Sequence, residues 1–436
     1  MARLLRQLPR LILKGALALF VAGVVLLGFR SSTPQLGDRW TMVGILARDN
    51  QFDYVSWELN AIGVKVGQTL FGVHPYMTET DRSRFVRRYM ADLGRAQQLE
   101  GQISAIYADP NVANADVETL DLRVERDQLR ADLDERQPLA EAILEGQVAA
   151  TLTSLGFGFY DQIVPPVSAH FTPVPNLLVV SPRDEIRFDI SINLNPMPVD
   201  AQIALEDEID QKLDVAALTV PLGGIALYPS MILETSSIPY ALDVITHEWL
   251  HHYLLAFPLG YRYDFGGETR IINETTSNLF GNEVGRLVLE RYYPDLAPPP
   301  AAPPAPSAEA DVPATPQPER FDFGRAMNET RLRVDALLAD GKVEAAERYM
   351  EQRRELFVAN GYVIRKLNQA FFAFYGGYQS GSPGEGGSDP IGPAVQAVRD
   401  ASVSVYDWIE RMRGVTTRDA LLALRDETVL DTQRGR

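Results

Sequence analysis

The chain has 436 residues, of which 41 are Lys or Arg and 58 are Asp or Glu, so its formal net charge is −17. This charge argues against nucleic acid as a partner, because phosphate binding needs Lys and Arg gathered on one face. Cysteine is absent, which excludes disulfides, a cysteine nucleophile and thiolate ligands to zinc or iron–sulfur clusters. Hydrophobic residues make up 46% of the chain, enough to build a core. Because cysteine is absent, any metal must be held by His, Asp or Glu.

The N-terminal segment is typical of a membrane anchor. Residues 11–29 are apolar apart from Lys14, and a helix of that length nearly spans a hydrocarbon core of ~30 Å. Arg3, Arg6 and Arg10 precede it, so the positive-inside rule places the N-terminus in the cytoplasm. We therefore expect an uncleaved, single-pass helix in the cell membrane, with the bulk of the chain extracytoplasmic. A cleaved signal peptide is the alternative, although no A-x-A-like site follows.

Helical periodicity dominates the region after this segment. Residues 79–106 and 114–136 have the spacing of long, highly charged helices. Pro138 is expected to interrupt the second helix, and a further helix to run to about Leu155.

A short stretch of strands follows, and then helices return. Strands are predicted at 176–181, 186–194 and 223–232, where apolar runs or period-two alternation occur. Helices are predicted at 240–257, 272–292, 322–339, 341–360, 362–378, 394–413 and 416–427. The predicted fold class is therefore α+β, mainly α-helical, with a small antiparallel or mixed sheet and an N-terminal transmembrane helix.

Composition marks the boundaries between regions. Residues 294–318 are rich in Pro and Ala, which favours a linker or excursion loop without a packed core. Residues 376–393 are rich in Gly but lack the GK[ST] of a phosphate-binding loop. The predicted organisation is a cytoplasmic tail and anchor (1–35), a helical region (36–160), a catalytic core (161–293), a linker (294–320) and a C-terminal helical region that contributes to the cleft (321–436).

The segment with most chemical content is His247-Glu248-Trp249-Leu250-His251, inside a predicted helix. Positions i and i+4 share one helical face, so two imidazoles can converge on one ion. Neutral imidazole suits Zn²⁺, and Glu248 is placed to reach a water bound to that ion. Zinc lowers the pKa of such a water from 15.7 towards ~7, so Glu248 can act as a general base at neutral pH.

A third ligand is expected on the next helix. Glu274 lies in the segment Asn273–Asn278, and an antiparallel return after the turn at 260–267 would bring it to the metal. Asn278, one turn later, is placed to accept a hydrogen bond from His247 or His251 and fix its tautomer. The sequence therefore predicts one Zn²⁺ per chain, held by His247, His251 and Glu274.

HEWLH followed by NETTSN resembles the gluzincin, or thermolysin-like, zinc metallopeptidases, over residues 223–283. The rest of the chain resembles, more weakly, bacterial membrane-anchored predicted peptidases. The resemblance implies a zincin-like catalytic core, zinc on His247, His251 and Glu274, and Glu248 as general base and proton shuttle. Asn278 stands where thermolysin-like enzymes have Asp. An amide accepts the same hydrogen bond without a charge, so the ligand His would be less strongly polarised.

Two further elements follow from this resemblance. In the family an edge strand ahead of the motif pairs with the extended substrate backbone, and here Gly224, Ile225 and Ala226 would take that place. An ordinary sheet strand is the alternative. A donor for the oxyanion is also implied, and Tyr375 and Tyr378 are the candidates, with core packing as the alternative. The other three histidines are not interpreted as ligands. His74 is expected to be a surface or packing residue, His252 to pack or to support a ligand, and His170 to be incidental.

The function predicted from these features is a zinc metallopeptidase, a hydrolase that cleaves a peptide or protein substrate in the cell envelope. The alternative is a non-catalytic, membrane-anchored envelope scaffold with a degenerate zincin site. A third possibility, an amide hydrolase acting on non-peptide substrates, uses the same residues. Cleavage specificity, endo- or exopeptidase mode and oligomeric state are left open by the sequence.

Overall fold

The structure is a computed structural model that describes residues 37–108, 112, 114–265, 267–297, 321–376 and 389–434, together with 15, 17–21 and 23. The chain divides into two units, residues 1–48 and residues 49–436. The first unit contains helix α1 (Arg39–Ala47), which begins after Asp38. The Asp38 carboxylate accepts a hydrogen bond from the backbone N–H of Thr41, as an N-cap does.

The fold-class prediction is wrong in its transmembrane helix. In the part of the chain that the structure describes, no helix combines the length and the apolarity needed to cross a membrane. Most of the predicted segment, residues 11–29, lies outside those described residues. The two longest described helices, Glu79–Ala108 and Leu120–Ser154, carry many charged side chains.

The second unit is mainly helical with small sheets. Its helices are α2 (Tyr54–Phe71), α3 (Glu79–Ala108), α4 (Ala115–Glu118), α5 (Leu120–Ser154), α6 (Val199–Leu213), α7 (Ile238–Leu254), α8 (Pro258–Tyr261), α9 (Gly267–Tyr292), α10 (Phe323–Ala339), α11 (Val343–Ala359), α12 (Gln369–Tyr375), α13 (Ile391–Ala401), α14 (Val405–Met412) and α15 (Arg418–Arg434). Pro138 lies inside α5, so the predicted interruption there is wrong. The turn that follows it, Leu139–Leu144, is largely buried in the core, and that packing keeps the helix continuous.

The strands form one hairpin and two three-stranded sheets. They are β1 (Gly158–Phe159), β2 (Gln162–Ile163), β3 (Ala169–Thr172), β4 (Asn176–Pro182), β5 (Ile190–Leu194), β6 (Val215–Pro221), β7 (Gly224–Ile225) and β8 (Ser230–Leu233). The first sheet has the order β3-β8-β7, with β3 parallel and β7 antiparallel to β8. The second is fully antiparallel, in the order β5-β4-β6. The predicted strand 223–232 is thus a tight hairpin, because the chain turns at 226–229.

Two hydrophobic clusters hold this unit together. The larger one is built from α3, α5, α7, α9 and the last three helices, with Trp249, Phe280 and Trp408 fully buried in it. The smaller one lies between the second sheet and helices α10–α12, and Phe372 is at its centre. The His-Glu motif lies on a helix of the larger cluster.

The outer edge of β3 is closed by side chains of α5. The carboxylates of Glu145 and Glu141, one helical turn apart, accept the backbone N–H groups of Ala169 (2.7 Å) and Phe171 (2.8 Å). Lys65 bridges both carboxylates, at 2.8 and 2.7 Å. Exposed edge groups invite pairing with another strand, so this arrangement removes one such edge.

The second sheet uses the same device on β6. Asp210 and Glu206, one turn apart on α6, accept the N–H groups of Ala217 and Thr219, each at 2.6 Å. Arg365 and Lys366 supply the neutralising charges. The opposite edge, β5, pairs with the segment 50–52. Among the described residues, the outer edge of β7 is therefore the one edge of these two sheets that neither a carboxylate pair nor a chain segment covers.

Replacing Lys65 with Met is expected to lower the free energy of unfolding by about 3–5 kcal/mol, because Glu141 and Glu145 would lose the cation between them while staying buried. Lys212 is a matched control, since it also pairs with a glutamate but is 55% exposed. Lys212→Met should change stability by less than about 1 kcal/mol. Urea unfolding of both variants measures the difference. Equal losses of unfolding free energy would show that Lys65 is not needed to neutralise Glu141 and Glu145.

Candidate metal centre

Helix α7 carries the motif and is capped at its N-terminus. Ser237 caps it through a hydrogen bond to the backbone N–H of Tyr240, and Pro239 occupies its first turn, where a missing N–H costs nothing. One face of the helix is buried in the larger cluster, where the indole N–H of Trp249 donates to the carbonyl of Pro165 at 2.9 Å. The motif is thus held on a rigid element.

Two glycines let α9 approach α7 closely. Gly281 and Gly285 form a G-x-x-x-G on α9, and both face Asp243 of α7. A Cβ built on Gly281 would lie 2.8 Å from the main-chain oxygen of Asp243, and one on Gly285 would lie 3.1 Å from its Cα. Any larger residue would push the helices apart, so the glycines set the distance at which Glu274 of α9 faces the histidines of α7.

Three side-chain atoms meet where these helices face each other. The Nε2 atoms of His247 and His251 are 3.0 Å apart, and Oε2 of Glu274 lies 3.6 Å from each of them. A tetrahedral Zn²⁺ with bonds of about 2.0–2.1 Å spaces its ligand atoms by roughly 3.3 Å, so the triangle has the size that such an ion needs. The structure brings together the three residues that the sequence singled out as ligands.

Glu248 lies beside this triangle. Ligand atoms of His247, Glu248 and His251 all fall within 4.8 Å of one another, a grouping that could also hold a metal ion. Glu248 is 5% exposed. Burial raises the pKa of its carboxyl, and the charges of the two histidines oppose that rise. The geometry identifies a possible metal group without identifying the metal.

The ligand set is electrostatically suited to a cation. Burial disfavours ionised Glu274, but the positive charges and hydrogen bonds of His251 and His247 hold the pKa of its carboxyl well below its usual range. For His247, burial acts to lower the pKa, while the hydrogen bond to Glu274 and the nearby carboxylates raise it to about 9. The carboxylates of the site therefore stabilise a positive charge at the imidazoles, as a site for a cation must.

Tyr263 is a site residue that the sequence analysis missed. It lies in a short 3₁₀ turn between α8 and α9, and its hydroxyl donates to Oε1 of Glu274. Its ring stands nearly perpendicular to that of His251, with centroids 5.9 Å apart. The guanidinium of Arg270 lies 4.5 Å from the Tyr263 ring and 4.5 Å from the Phe188 ring. The aromatic-rich turn Tyr261–Phe265 between motif and third ligand was the available signal.

The second contacts of the ligands differ in part from expectation. Oγ of Ser277 lies 3.5 Å from Nδ1 of His251. The side-chain amide of Asn273, the residue before Glu274, donates to the carbonyl of Leu259 at 2.9 Å. The backbone carbonyl of Asn278 accepts a hydrogen bond from the side-chain amide of Asn282 at 3.0 Å. The bond from Asn278 to a ligand histidine stays a prediction.

The predicted edge strand lies directly against Glu248. A Cβ built on Gly224 would lie 2.5 Å from Oε1 of Glu248 and 2.8 Å from Cγ1 of Val244. Gly224 and Ile225 form β7, whose outer edge is the uncovered one. Ala226 is in the turn after it, against which His252 packs, 5.4 Å from the Tyr228 ring. Only glycine permits this contact between strand and carboxylate.

The remaining predicted residues lie elsewhere. Tyr375 belongs to the smaller cluster, in ring contact with Phe371 and Phe374, and its role as a donor stays a prediction. Tyr378 lies outside the described residues. Nδ1 of His170 lies 3.0 Å from Oε1 of Glu141, one of the two carboxylates that cover the outer edge of β3.

Comparison of the chain with protein-family models, with curated proteins and with solved structures finds no match in any of the three.

Proposed function

We propose that this protein is a zinc-dependent metallopeptidase of the gluzincin type, with His247, His251 and Glu274 as zinc ligands. The observation that carries the proposal is the triangle of two imidazole nitrogens and one carboxylate oxygen, 3.0–3.6 Å on a side, next to a buried carboxylate. Three protein ligands leave a fourth position for water, which is the pattern of catalytic zinc sites.

The chain's own residues supply the proton transfers. A zinc ion bound here would lower the pKa of a water and polarise the substrate carbonyl. Glu248 takes the proton from the attacking water as its oxygen bonds to the carbonyl carbon. The same carboxyl then gives that proton to the leaving amine as the C–N bond breaks, so no other co-reactant is needed.

An extended peptide fits the surroundings of this site better than a compact amide. The outer edge of β7, beside Glu248, pairs with no further strand in the described part of the chain, whereas the other edges of the two three-stranded sheets are covered. A peptide backbone that adds to this edge forms main-chain hydrogen bonds and places its carbonyl near the ligands. This favours a peptide or protein substrate over the non-peptide amide alternative.

Gly224→Ala is expected to lower kcat/KM about 10- to 100-fold, because the new Cβ would collide with Oε1 of Glu248 and displace the base or the strand. Zinc content should remain unchanged. Gly101→Ala on α3 is the matched control, since a Cβ there meets nothing within 4 Å. Steady-state peptide hydrolysis compares the two. Equal activity in both variants would show that β7 does not border the reacting groups.

Tyr263 is placed to act as the hydrogen-bond donor to the oxyanion. Its hydroxyl donates to Oε1 of Glu274 and its ring contacts that of His251, so Tyr263 borders the ligands between which a substrate carbonyl would be held. Tyr375 lies in a different cluster. Both residues can be tested by removing a single hydroxyl.

Tyr263→Phe is expected to lower kcat by about 10²–10³-fold with little change in KM, as loss of an oxyanion donor does. Tyr375→Phe should keep nearly full activity if packing is its role. Kinetic constants for both variants on one peptide substrate decide between them. A large loss in Tyr375→Phe with none in Tyr263→Phe would restore the sequence-based assignment and overturn this one.

The proposal is tested with a library of end-blocked peptides and with simple aryl amides, using metal-free and zinc-loaded protein. Cleavage of internal peptide bonds that depends on zinc supports the peptidase. Hydrolysis of the aryl amides alone favours the amide hydrolase. Zinc binding with no hydrolysis of either class favours the non-catalytic scaffold.

A further inference from the structure

The third proposed ligand, Glu274, has a separate partner for each oxygen of its carboxylate. Oε2 lies 3.6 Å from Nε2 of both His247 and His251, at the ligand triangle. Oε1 accepts a hydrogen bond from the hydroxyl of Tyr263. An outer partner of this kind orients a metal ligand and strengthens it. The position of the Tyr263 hydroxyl therefore determines which carboxylate oxygen is left to face the imidazoles.

Tyr263 is the one partly buried residue of the exposed segment 261–265. It begins a 3₁₀ turn of only three residues, Tyr263–Phe265. The hydrogen bonds of such short 3₁₀ segments have poorer geometry than those of an α-helix. The ring of Tyr263 is therefore held by side chains of other elements rather than by the turn. One of these is the imidazole of His251, with ring centroids 5.9 Å apart.

Arg270 supplies a second contact to this ring. It lies one helical turn before Glu274 on α9, so both side chains emerge on the same face of the helix. Its guanidinium carbon lies 4.5 Å from the centroid of the Tyr263 ring, within the range of a cation–π interaction. Nη2 also lies 3.2 Å from Oδ1 of Asp264, the next residue of the turn. Arg270 thus joins the turn to the helix that carries the third ligand.

Arg270 is itself held from the side of the second sheet. Its guanidinium lies 4.5 Å from the Phe188 ring, and Nη1 donates to Oγ of Ser191 on β5 at 3.3 Å. The Arg270 side chain is only 20% exposed, and a cation–π contact gains strength when it is removed from water. Asp264 is 81% exposed, so its ion pair with Arg270 is screened and contributes little. The contact with the ring of Tyr263 is therefore the one that orients the turn.

We propose that Arg270 is a positioning residue, which holds Tyr263 so that its hydroxyl stays on Oε1 of Glu274 and Oε2 is left for the metal. The inference rests on the proposed function, because it presupposes the metal site and the role of Tyr263. It goes beyond that function in naming a residue that is neither a ligand nor a proton carrier and acts through Tyr263. An uncharged side chain cannot replace a guanidinium that stacks on an aromatic face.

The test is a double-mutant cycle on the full chain. Its two readouts are zinc affinity, from competition with a chelating dye, and kcat on one peptide substrate. Arg270→Gln should weaken zinc binding and lower kcat, each about 10-fold, as loss of an outer partner does. In the Tyr263→Phe background the same change should cost less than about twofold, because the hydroxyl that Arg270 positions is already gone. Arg270→Lys keeps a cation and is the milder change, so its smaller losses should also vanish in that background.

Arg331→Gln is the matched control. Arg331 also pairs with an aspartate, Asp335, and lies 5.6 Å from an aromatic ring, but that ring belongs to Phe372 in the smaller cluster. The variant loses the same charge and the same kind of contact, so zinc affinity and kcat should stay at the wild-type values. A loss in Arg331→Gln equal to that in Arg270→Gln would show general destabilisation and overturn the inference.

The remaining outcomes separate this inference from the proposed function. Losses in Arg270→Gln that persist undiminished in the Tyr263→Phe background would overturn the inference and leave the proposed function standing. Wild-type zinc affinity and kcat in Arg270→Gln, or in Tyr263→Phe, would do the same. A wild-type protein that binds no zinc would overturn the proposed function and this inference with it.

Discussion

Glu248→Gln is expected to lower kcat for peptide hydrolysis by about 10²–10⁴-fold, because an amide cannot take the proton of the attacking water. Zinc content should stay at the wild-type value, since Glu248 is placed beside the ligand triangle rather than in it. Burial raises the pKa of its carboxyl above the ordinary value for glutamate, which is the direction expected of a group that must both accept and return a proton. Steady-state kinetics and metal analysis of the same preparation measure both quantities.

Glu290→Gln is the matched control for this change. Glu290 is about half exposed on α9 and pairs with Arg286, so removing its charge should leave activity unchanged. Full activity in Glu248→Gln would contradict the proposed mechanism. Loss of zinc together with loss of activity would instead assign Glu248 to the metal, in the alternative grouping of His247, Glu248 and His251.

Loss of a ligand should have the second large effect. His251→Ala and Glu274→Ala each remove one corner of the triangle, and neither variant should retain stoichiometric zinc. A wild-type protein in zinc at 100 times its dissociation constant gains about 2.7 kcal/mol of stability. Thermal unfolding with and without zinc should show this gain in the wild type and not in the variants.

His252→Ala tests whether the effect is specific to the ligands. His252 is adjacent to a ligand in sequence, but its ring packs against Tyr228 on another side of α7. This variant should keep its zinc and its zinc-dependent stabilisation. If His252→Ala loses zinc while His251→Ala keeps it, the assignment of the motif residues is wrong.

The ligand triangle is the part of the site that the sequence predicts best. Residues at i and i+4, such as His247 and His251, lie on one face of any α-helix. The connection between α7 and α9 is short, so α9 is expected to run back along α7. What spacing does not predict is how close α9 comes. That distance depends on Gly281 and Gly285 packing against the backbone of Asp243, a contact between residues far apart in sequence.

The errors in the predicted secondary structure also come from contacts between residues far apart in sequence. Pro138 indicates a break because it removes one helical hydrogen bond, yet the core contacts of the following turn outweigh that cost and α5 continues. The stretch 223–232 has the composition of one strand, but it turns at 226–229 and pairs with itself. β6 and α6 were not predicted, although Glu206 and Asp210 of α6 seal the edge of that strand.

Tyr263 and Tyr375 are competing candidates for the oxyanion donor, and they differ in how visible they are in the sequence. Aromatic density around Tyr375 comes from packing in the smaller cluster, with Phe371 and Phe374 as its neighbours. Tyr263 sits in a short turn without periodicity, and its position at Glu274 follows from how α8 leads into α9. The aromatic residues of the turn 261–265 are the one sequence signal for Tyr263, and they do not indicate which ring reaches Glu274.

The proposed site would hold one metal ion on two imidazoles and one carboxylate, with one coordination position open. Zinc K-edge X-ray absorption of the loaded full chain tests this most directly. About one zinc per chain is expected, with four nitrogen or oxygen neighbours at roughly 2.0–2.1 Å, two of them imidazole. A spectrum without imidazole scattering, or a chain that binds no zinc, would contradict it.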